Sequence, residues 1–358
     1  MISYRKHKVL VAPLDWGLGH ATRCIPLIQA LLNDGHEVVL AAEGGQAMLL
    51  QQEFPKLKMI PLRGYRVRYS RSKLFFSLKL MIQLPQIYAA VRQEHRWLKQ
   101  IVEAEKITCV VSDNRYGLYH AVIPSFLITH QLTIKAPFPW AERLLRLINY
   151  RFINHFTACW VPDMTVPPGI AGALSHPPQM PAVPVHYINL LSRFTKEPVP
   201  EKYDLCVLLS GPEPQRSLLE EKILSQLSGI SARILLVRGR PADTALPPVP
   251  EQVTVVNHLN GKALGKAIQE SGLVISRSGY TTVMELLSLE KKMILIPTPG
   301  QTEQEYLAAC LSKTGLALEY KQSGFQLAGA LKQAQAFAFK RGSIRLFNDE
   351  ILCSLIQQ

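Results

Sequence analysis

The chain has 358 residues, room for roughly two domains of ordinary size. With 47% hydrophobic residues it can bury full cores, which excludes a disordered chain, and no stretch approaches the ~18 uninterrupted apolar residues of a membrane span. A net charge of +13 favours an anionic partner without choosing among nucleotide diphosphates, lipid surfaces and nucleic acid.

Residues 8–12 form an apolar run that is too short for a signal-peptide core and reads as a first strand. Asp15-Trp16-Gly17-Leu18-Gly19-His20-Ala21-Thr22-Arg23 follows. Gly17 and Gly19 permit a tight turn and close backbone approach, and a helix over 21–33, stopped by Gly35, aims its positive end at that turn. As a dinucleotide fingerprint the loop fails, because Thr22 stands where a third Gly or Ala belongs and Glu43 fits the acidic position loosely. His20 at the helix start has its proton affinity lowered by the dipole, so it is either a neutral proton acceptor or a hydrogen-bonded capping residue.

A strand over 37–42, a helix over 46–53, a strand over 108–112 and another within 121–129 continue the alternation, which argues for a parallel sheet covered on both faces. Asp113, at the end of one of these strands, is a second candidate base or a helix cap. His130 and Gln131 occupy the same position after the next strand and are expected to line an acceptor site. From Lys56 to Arg92 there are nine basic residues and no acidic one. Arg63, Arg66, Arg68, Arg71 and Lys73 lead there into Leu74, Phe75 and Phe76. Residues 139–151 again set Arg143, Arg146 and Arg151 among leucines. Both stretches suit an anionic membrane surface, with solvated arginines on core-facing helices as the plainer alternative.

Prolines crowd residues 162–184, where an interdomain crossing is expected. The expected domains are 1–165, a linker over 166–200, a second domain over 201–335 and a helical tail over 336–358. In the second half, strands over 205–209, 233–238, 253–256, 273–275 and 293–296 and a helix over 215–227 repeat the pattern. The fold class is therefore α/β, with two doubly wound, Rossmann-like parallel-sheet domains facing a cleft and ligands beyond the carboxyl ends of the strands. Six cysteines without C-x-x-C spacing read as buried thiols in a reducing compartment, and the expected location is the cytoplasm.

The densest chemistry lies in Ser276-Arg277-Ser278-Gly279-Tyr280-Thr281-Thr282-Val283-Met284-Glu285 and in Pro297-Thr298-Pro299-Gly300-Gln301-Thr302-Glu303-Gln304-Glu305-Tyr306. Each reads as a strand end, a small or polar turn and a helix start, a ready anion site. Glu285 is placed to accept ribose hydroxyls, and the second loop offers amide and carboxylate groups to a sugar.

The Gly-x-Gly-His loop, the Pro-rich crossing and the Ser-Gly-x-x-Thr-x-x-Glu helix with its Gln-rich loop resemble the two-domain GT-B glycosyltransferases. The resemblance is to family 28, which includes the N-acetylglucosaminyltransferase of the peptidoglycan lipid intermediate. It is most specific over residues 205–330. It implies that Ser278, Gly279, Thr281 and Thr282 face the donor diphosphate and that His258 and Leu259 meet the nucleobase. It further implies that Glu285 holds the ribose, that Gln304 and Glu305 read the donor sugar, and that His20 stands near the reacting centre. The loop at Ser210-Gly211-Pro212-Glu213-Pro214 departs from the family's glycine-rich form, and Arg216 is the expected compensating cation. The implied reaction moves a sugar from a nucleoside diphosphate, read as UDP, to an acceptor hydroxyl with inversion, on a lipid or lipid-linked acceptor at the inner membrane face. No cofactor, metal or nucleic acid is expected. An epimerase of the same fold and a non-catalytic nucleotide-sugar binder are the alternatives.

Overall fold

The computed structural model describes residues 6–65, 73–136, 138–342 and 344–356, and for residues 73–84 the backbone alone. The chain divides into two compact units, Met1–Arg193 with Arg345–Gln358, and Phe194–Ile344.

In the first unit, β1 (Lys8–Pro13), β2 (Glu37–Ala42), β3 (Lys58–Pro61), β4 (Cys109–Asp113), β5 (Ser125–Ile128), β6 (Ala158–Val161) and β7 (Val185–Tyr187) form one parallel sheet. Their order is β3-β2-β1-β4-β5-β6-β7. α1 (Leu18–Asn33), α2 (Gly44–Glu53), α3 (Lys73–Glu105) and α4 (Pro139–Ile153) lie in the connections. β1 is buried along nearly its whole length, as a strand covered on both faces must be. In α1 the buried Ala21, Cys24, Ile25, Ile28 and Leu31 recur at helical spacing. That helix stops where Gly35 takes a φ of +77°, the left-handed residue that closes helix ends. Trp160 of β6 is 1% exposed and stacks on Phe126 of β5 with ring centroids 4.4 Å apart.

In the second unit, β8 (Tyr203–Leu208), β9 (Ile234–Val237), β10 (Val253–Val256), β11 (Ser271–Ser276), β12 (Lys292–Leu295) and β13 (Leu318–Glu319) form a parallel sheet in the order β10-β9-β8-β11-β12-β13. α5 (Gln215–Leu224), α6 (Gly261–Gln269), α7 (Tyr280–Ser288) and α8 (Thr302–Lys313) lie in the connections, and α9 (Leu327–Ala336) follows β13. Leu205, Val207, Ile234, Leu236, Ile275 and Ile294 from its central strands share one core with Leu219 and Ile223 of α5. The last helix, α10 (Asp349–Ile356), belongs to the first unit and packs on α1.

The expected boundaries are corrected. Residues 166–193 are part of the first unit, because β7 adds an edge strand to its sheet and Asp163 binds the Pro-rich turn. That carboxylate accepts from the Ile170 and Ala171 amides at 2.7 and 2.9 Å and from Ser175 Oγ at 2.5 Å. The expected tail does not form one element: 337–344 stay with the second unit and 345–358 with the first. No disulfide joins the six cysteines; Cys24, Cys109, Cys159 and Cys206 are buried, while Cys310 and Cys353 are half-buried.

Strand order reverses between β1 and β4 in the first unit and between β8 and β11 in the second. The carboxyl ends at such a reversal are where doubly wound sheets hold ligands.

Candidate active site

In the first unit, sheet register sets Asp113 opposite Pro13, so the end of β4 lies where β1 gives way to the glycine loop. Gly17 caps α1 with φ 75° and ψ 166°, a backbone that glycine alone adopts freely. No side chain caps that helix start and no acidic residue sits in its first turn.

His20 Nδ1 lies 2.9 Å from Asp113 Oδ2. The two residues read as alternative bases are therefore one hydrogen-bonded pair. Arg23, one turn along α1, donates from Nε to both Asp113 oxygens at 3.0 Å and from Nη2 to Oδ1. Its Nη2 is also 2.8 Å from His20 Nδ1, and its Nη1 is 3.4 Å from Nδ1 of His130. Asp113 and Arg23 are buried, while His20 keeps 15% of its side chain exposed. Burial, then the Arg23 cation, hold His20 below its ordinary value of 6.5, against the smaller upward pull of Asp113. For Asp113, burial alone acts upward, but Arg23 and His20 outweigh it and hold the carboxyl below its usual range. The result is an anionic Asp113 and a neutral imidazole near pH 7, the state a general base needs.

Around this cluster the strand ends are braced. Glu94 accepts from Arg115 Nε at 2.6 Å and from Tyr65 Oη at 2.6 Å, and Tyr65 Oη accepts from the Tyr116 amide at 2.9 Å. Arg115 also donates to the carbonyls of Pro13 and Arg63. Asn114, next to Asp113, has a φ of 55° and a buried Oδ1 without a partner. A left-handed non-glycine residue with an orphaned acceptor is the kind of strain that collects at functional sites. Gln131 donates its amide to Thr129 Oγ1, and its carbonyl accepts from Asn149.

In the second unit, the β11–α7 turn and the β12–α8 loop are joined directly. Ser278 Oγ donates to the Gln304 carbonyl at 2.8 Å, and Gln304 Oε1 accepts from the Thr298 amide at 2.9 Å. Glu305 Oε1 accepts from the Gly300 amide at 3.1 Å. Gln304 and Glu305, in the first turn of α8, thus brace the loop that precedes it. Gly279 is the N-cap of α7 without a side-chain cap, and a Cβ built there meets nothing within 4 Å. Thr281 and Thr282 are half-buried in the first turn, and Glu285 lies one turn further, 5% exposed. His258 and Leu259 follow β10 at the edge of the sheet.

Arg277 is 2% exposed and has no carboxylate partner among the described residues. Its Nη1 donates to the Ile296 and Pro297 carbonyls at 3.1 and 3.3 Å and its Nη2 to the Gln215 carbonyl at 2.6 Å. Its Nε and the Thr298 Oγ1 are buried without partners. Both flank Gly211, whose φ is 103°: a Cβ built there would stand 3.9 Å from Nε and 3.6 Å from Oγ1. Burial lowers the Arg277 pKa to about 10, which leaves it a cation at neutral pH. A buried, unpaired cation beside an unused hydroxyl is unfavourable until an anion arrives.

Arg216 does not supply the expected free cation. It donates to Glu213 Oε1 at 2.6 Å and to Glu220 Oε2 at 2.8 Å, and Glu220 also pairs with Arg238. The Glu-x-x-Arg-x-x-x-Glu spacing puts Glu220 one turn along α5 from Arg216 and Glu213 just before the helix start, a signal legible in the sequence. Arg23 and Thr298 carried no expectation, although His-x-x-Arg spacing places Arg23 beside His20. Of the basic stretch, Arg66, Arg68 and Arg71 lie outside the described residues, as do the side chains of Lys73, Leu74, Phe75 and Phe76. Among the described residues no helix is long and apolar enough to cross a membrane.

Residues 217–340 match the glycosyltransferase family 28 C-terminal domain. An uncharacterized glycosyltransferase of Methanosarcina acetivorans is 25% identical over 326 residues, 86% of this chain and 84% of that one. A UDP-N-acetylglucosamine--N-acetylmuramyl-(pentapeptide) pyrophosphoryl-undecaprenol N-acetylglucosamine transferase of Methylobacterium radiotolerans is 42% identical over 66 residues, 18% of each chain. Among solved structures, the glycotransferase of kitacinnamycin superimposes with a TM-score of 0.65 at 15% identity, covering 99% of this chain and 94% of its own. These relatives do not favour the epimerase alternative. The chain is a GT-B-fold glycosyltransferase similar to family 28, with that family's C-terminal domain over residues 217–340.

Proposed function

We propose that the chain transfers a sugar from a nucleoside-diphosphate donor, read as UDP-linked, to a hydroxyl of a lipid-linked acceptor, with inversion at the anomeric carbon. The observation that carries this reading is the neutral His20 hydrogen-bonded through Nδ1 to a buried carboxylate. With the proton on Nδ1, Nε2 is the basic nitrogen. It takes the acceptor proton as the acceptor oxygen forms its bond to the anomeric carbon and the bond to the diphosphate oxygen breaks. Asp113 then stabilises the imidazolium. His130, Gln131, Asn114 and the Gly17–Gly19 loop are assigned to the acceptor.

The departing diphosphate is assigned to Ser278, Gly279, Thr281 and Thr282 at the α7 start, with Arg277 Nε and Thr298 Oγ1 as further donors. The helix start contributes about 0.3–1 kcal/mol where exposed and more where desolvated, and the buried guanidinium more again because its solvation is already gone. Glu285 is assigned to the ribose hydroxyls, His258 and Leu259 to the base, and Gln304 and Glu305 to the donor sugar.

A lipid acceptor is supported by α4. Its outward face carries Trp140, Arg143, Leu144, Leu147 and Arg151, with Phe138 stacked on Trp140 at 6.2 Å. Exposed apolar and basic side chains on one helical face, with no acid among them, suit the headgroup region of an anionic bilayer.

A thermal-shift panel of nucleoside diphosphates and their sugars, followed by product detection on lipid-linked acceptors in EDTA, tests the reading. UDP and one UDP-sugar are expected to raise the melting temperature. A panel without any stabilising nucleotide contradicts the proposal.

A further inference from the structure

His20 Nδ1 has two neighbours with opposite requirements. Asp113 Oδ2, at 2.9 Å, needs a hydrogen on Nδ1. Arg23 Nη2, at 2.8 Å, needs a lone pair there. One ring nitrogen satisfies one of them at a time. When Nδ1 is protonated it donates to Asp113, and Nε2 carries the lone pair of a base. When Nδ1 is bare it accepts from Arg23, and Nε2 carries the hydrogen, so the ring can donate but not accept. Arg23 does not depend on Nδ1 for its own position, because its Nε bridges both Asp113 oxygens and its Nη1 reaches toward His130.

We propose that Arg23 is a positioning residue that divides His20 between a base tautomer and a donor tautomer, so that proton acceptance requires Arg23 to yield Nδ1 to Asp113. An acceptor hydroxyl donating to Nε2 selects the base tautomer, since a ligand shifts an equilibrium toward the state it binds better. The charged and titratable groups acting on His20 are Arg23 from α1, Asp113 from β4 and His130 after β5, and Cys24 of α1 faces Asp113. Burial pushes the Cys24 thiol well up, so it stays neutral.

The test is nitrogen-15 NMR of histidine-labelled full-length chain without ligand, with His20→Gln assigning the resonance. In the wild type the two His20 nitrogens should show shifts averaged between the tautomers. In Arg23→Met they should move to the pure Nδ1–H pattern, and the His20 titration should rise by about one pH unit or more once the neighbouring cation is gone. Arg23→Lys keeps the charge, so the tautomer should shift with a smaller change in titration; it also answers the question if the Met variant does not fold. A wild type already in the pure Nδ1–H form, or folded variants with unchanged tautomer and titration, overturns the proposal. The kinetic counterpart, an acid limb of the pH–rate profile that moves with the NMR titration, rests on His20 being the base. The NMR arm does not, so a failure of the glycosyl-transfer reading leaves it standing.

Discussion

The two units share a topology and differ in what they place at its reversal point. In the first unit, the ends of β1 and β4 hold a titratable cluster whose charges are matched: Asp113 against Arg23, with a neutral His20 between them and solvent. In the second, the ends of β8, β11 and β12 hold an unmatched cation, Arg277, and a bare helix start. Matched charge suits a site that moves a proton, where added net charge would drag the base's pKa away from working pH. Unmatched positive charge suits a site that receives an anion. On the proposed assignment, the same fold separates base chemistry from anion binding by side chains alone, as expected where function lives in sites carried by a common scaffold.

The sharpest break in this comparison is His20→Ala. It should lower turnover by about 10²–10⁴-fold, the usual worth of a positioned base, while the thermal shift caused by the donor persists. Asp113→Asn should act in the same direction. Loss of donor binding in either variant would mean that the units do not divide the work this way.

Arg216→Met should destabilise the second unit by about 1.5–3 kcal/mol, because the exposed Glu213 and the buried Glu220 lose a cation while Glu220 keeps Arg238. Denaturant titration measures this, and nucleotide affinity should be unchanged. Arg277→Met should act mainly on binding. Stability should change less than in Arg216→Met, because the hydrogen bonds lost to the Ile296, Pro297 and Gln215 carbonyls are offset by removing a buried cation that has no carboxylate partner among the described residues, and UDP should bind roughly tenfold or more weakly, the worth of a charge-assisted hydrogen bond. A stability loss with intact UDP binding would make Arg277 a structural residue like Arg216.

Much of this was legible in the sequence, and the failures have physical causes. Buried strands such as β1 and β2 announced themselves as apolar runs between turn signals. The glycine loop and the Ser278–Glu285 segment were legible because backbone geometry and helix starts demand particular residues at fixed spacing. The Pro-rich crossing was misread because proline density signals irregular backbone but not where it packs, and Asp163 folds it onto the first unit. Arg216 and Arg277 could not be ranked from composition. The acids three and four residues from Arg216 in sequence marked it as neutralised, whereas the lack of a carboxylate beside Arg277 appears only in the partners it meets. His20 and Asp113, 93 positions apart, became a pair only through sheet register.

The smallest expected effect is on pH dependence. The folded His20 pKa lies below the ordinary 6.5. As pH falls through 6.5, the unfolded chain takes a proton that the folded imidazole still refuses, so stability declines with acid. Turnover should fall at still lower pH, once the folded His20 is protonated. A rate whose acid limb lies above 6.5 would show that His20 is not the titrating base.

The division of labour is tested most directly by calorimetric titration of UDP into the wild type, His20→Ala and Arg277→Met. Equal affinity for the first two and at least about tenfold weaker binding to the third is the predicted result. Undetectable binding to the wild type, or an Arg277→Met chain that binds UDP as tightly as the wild type, would contradict it.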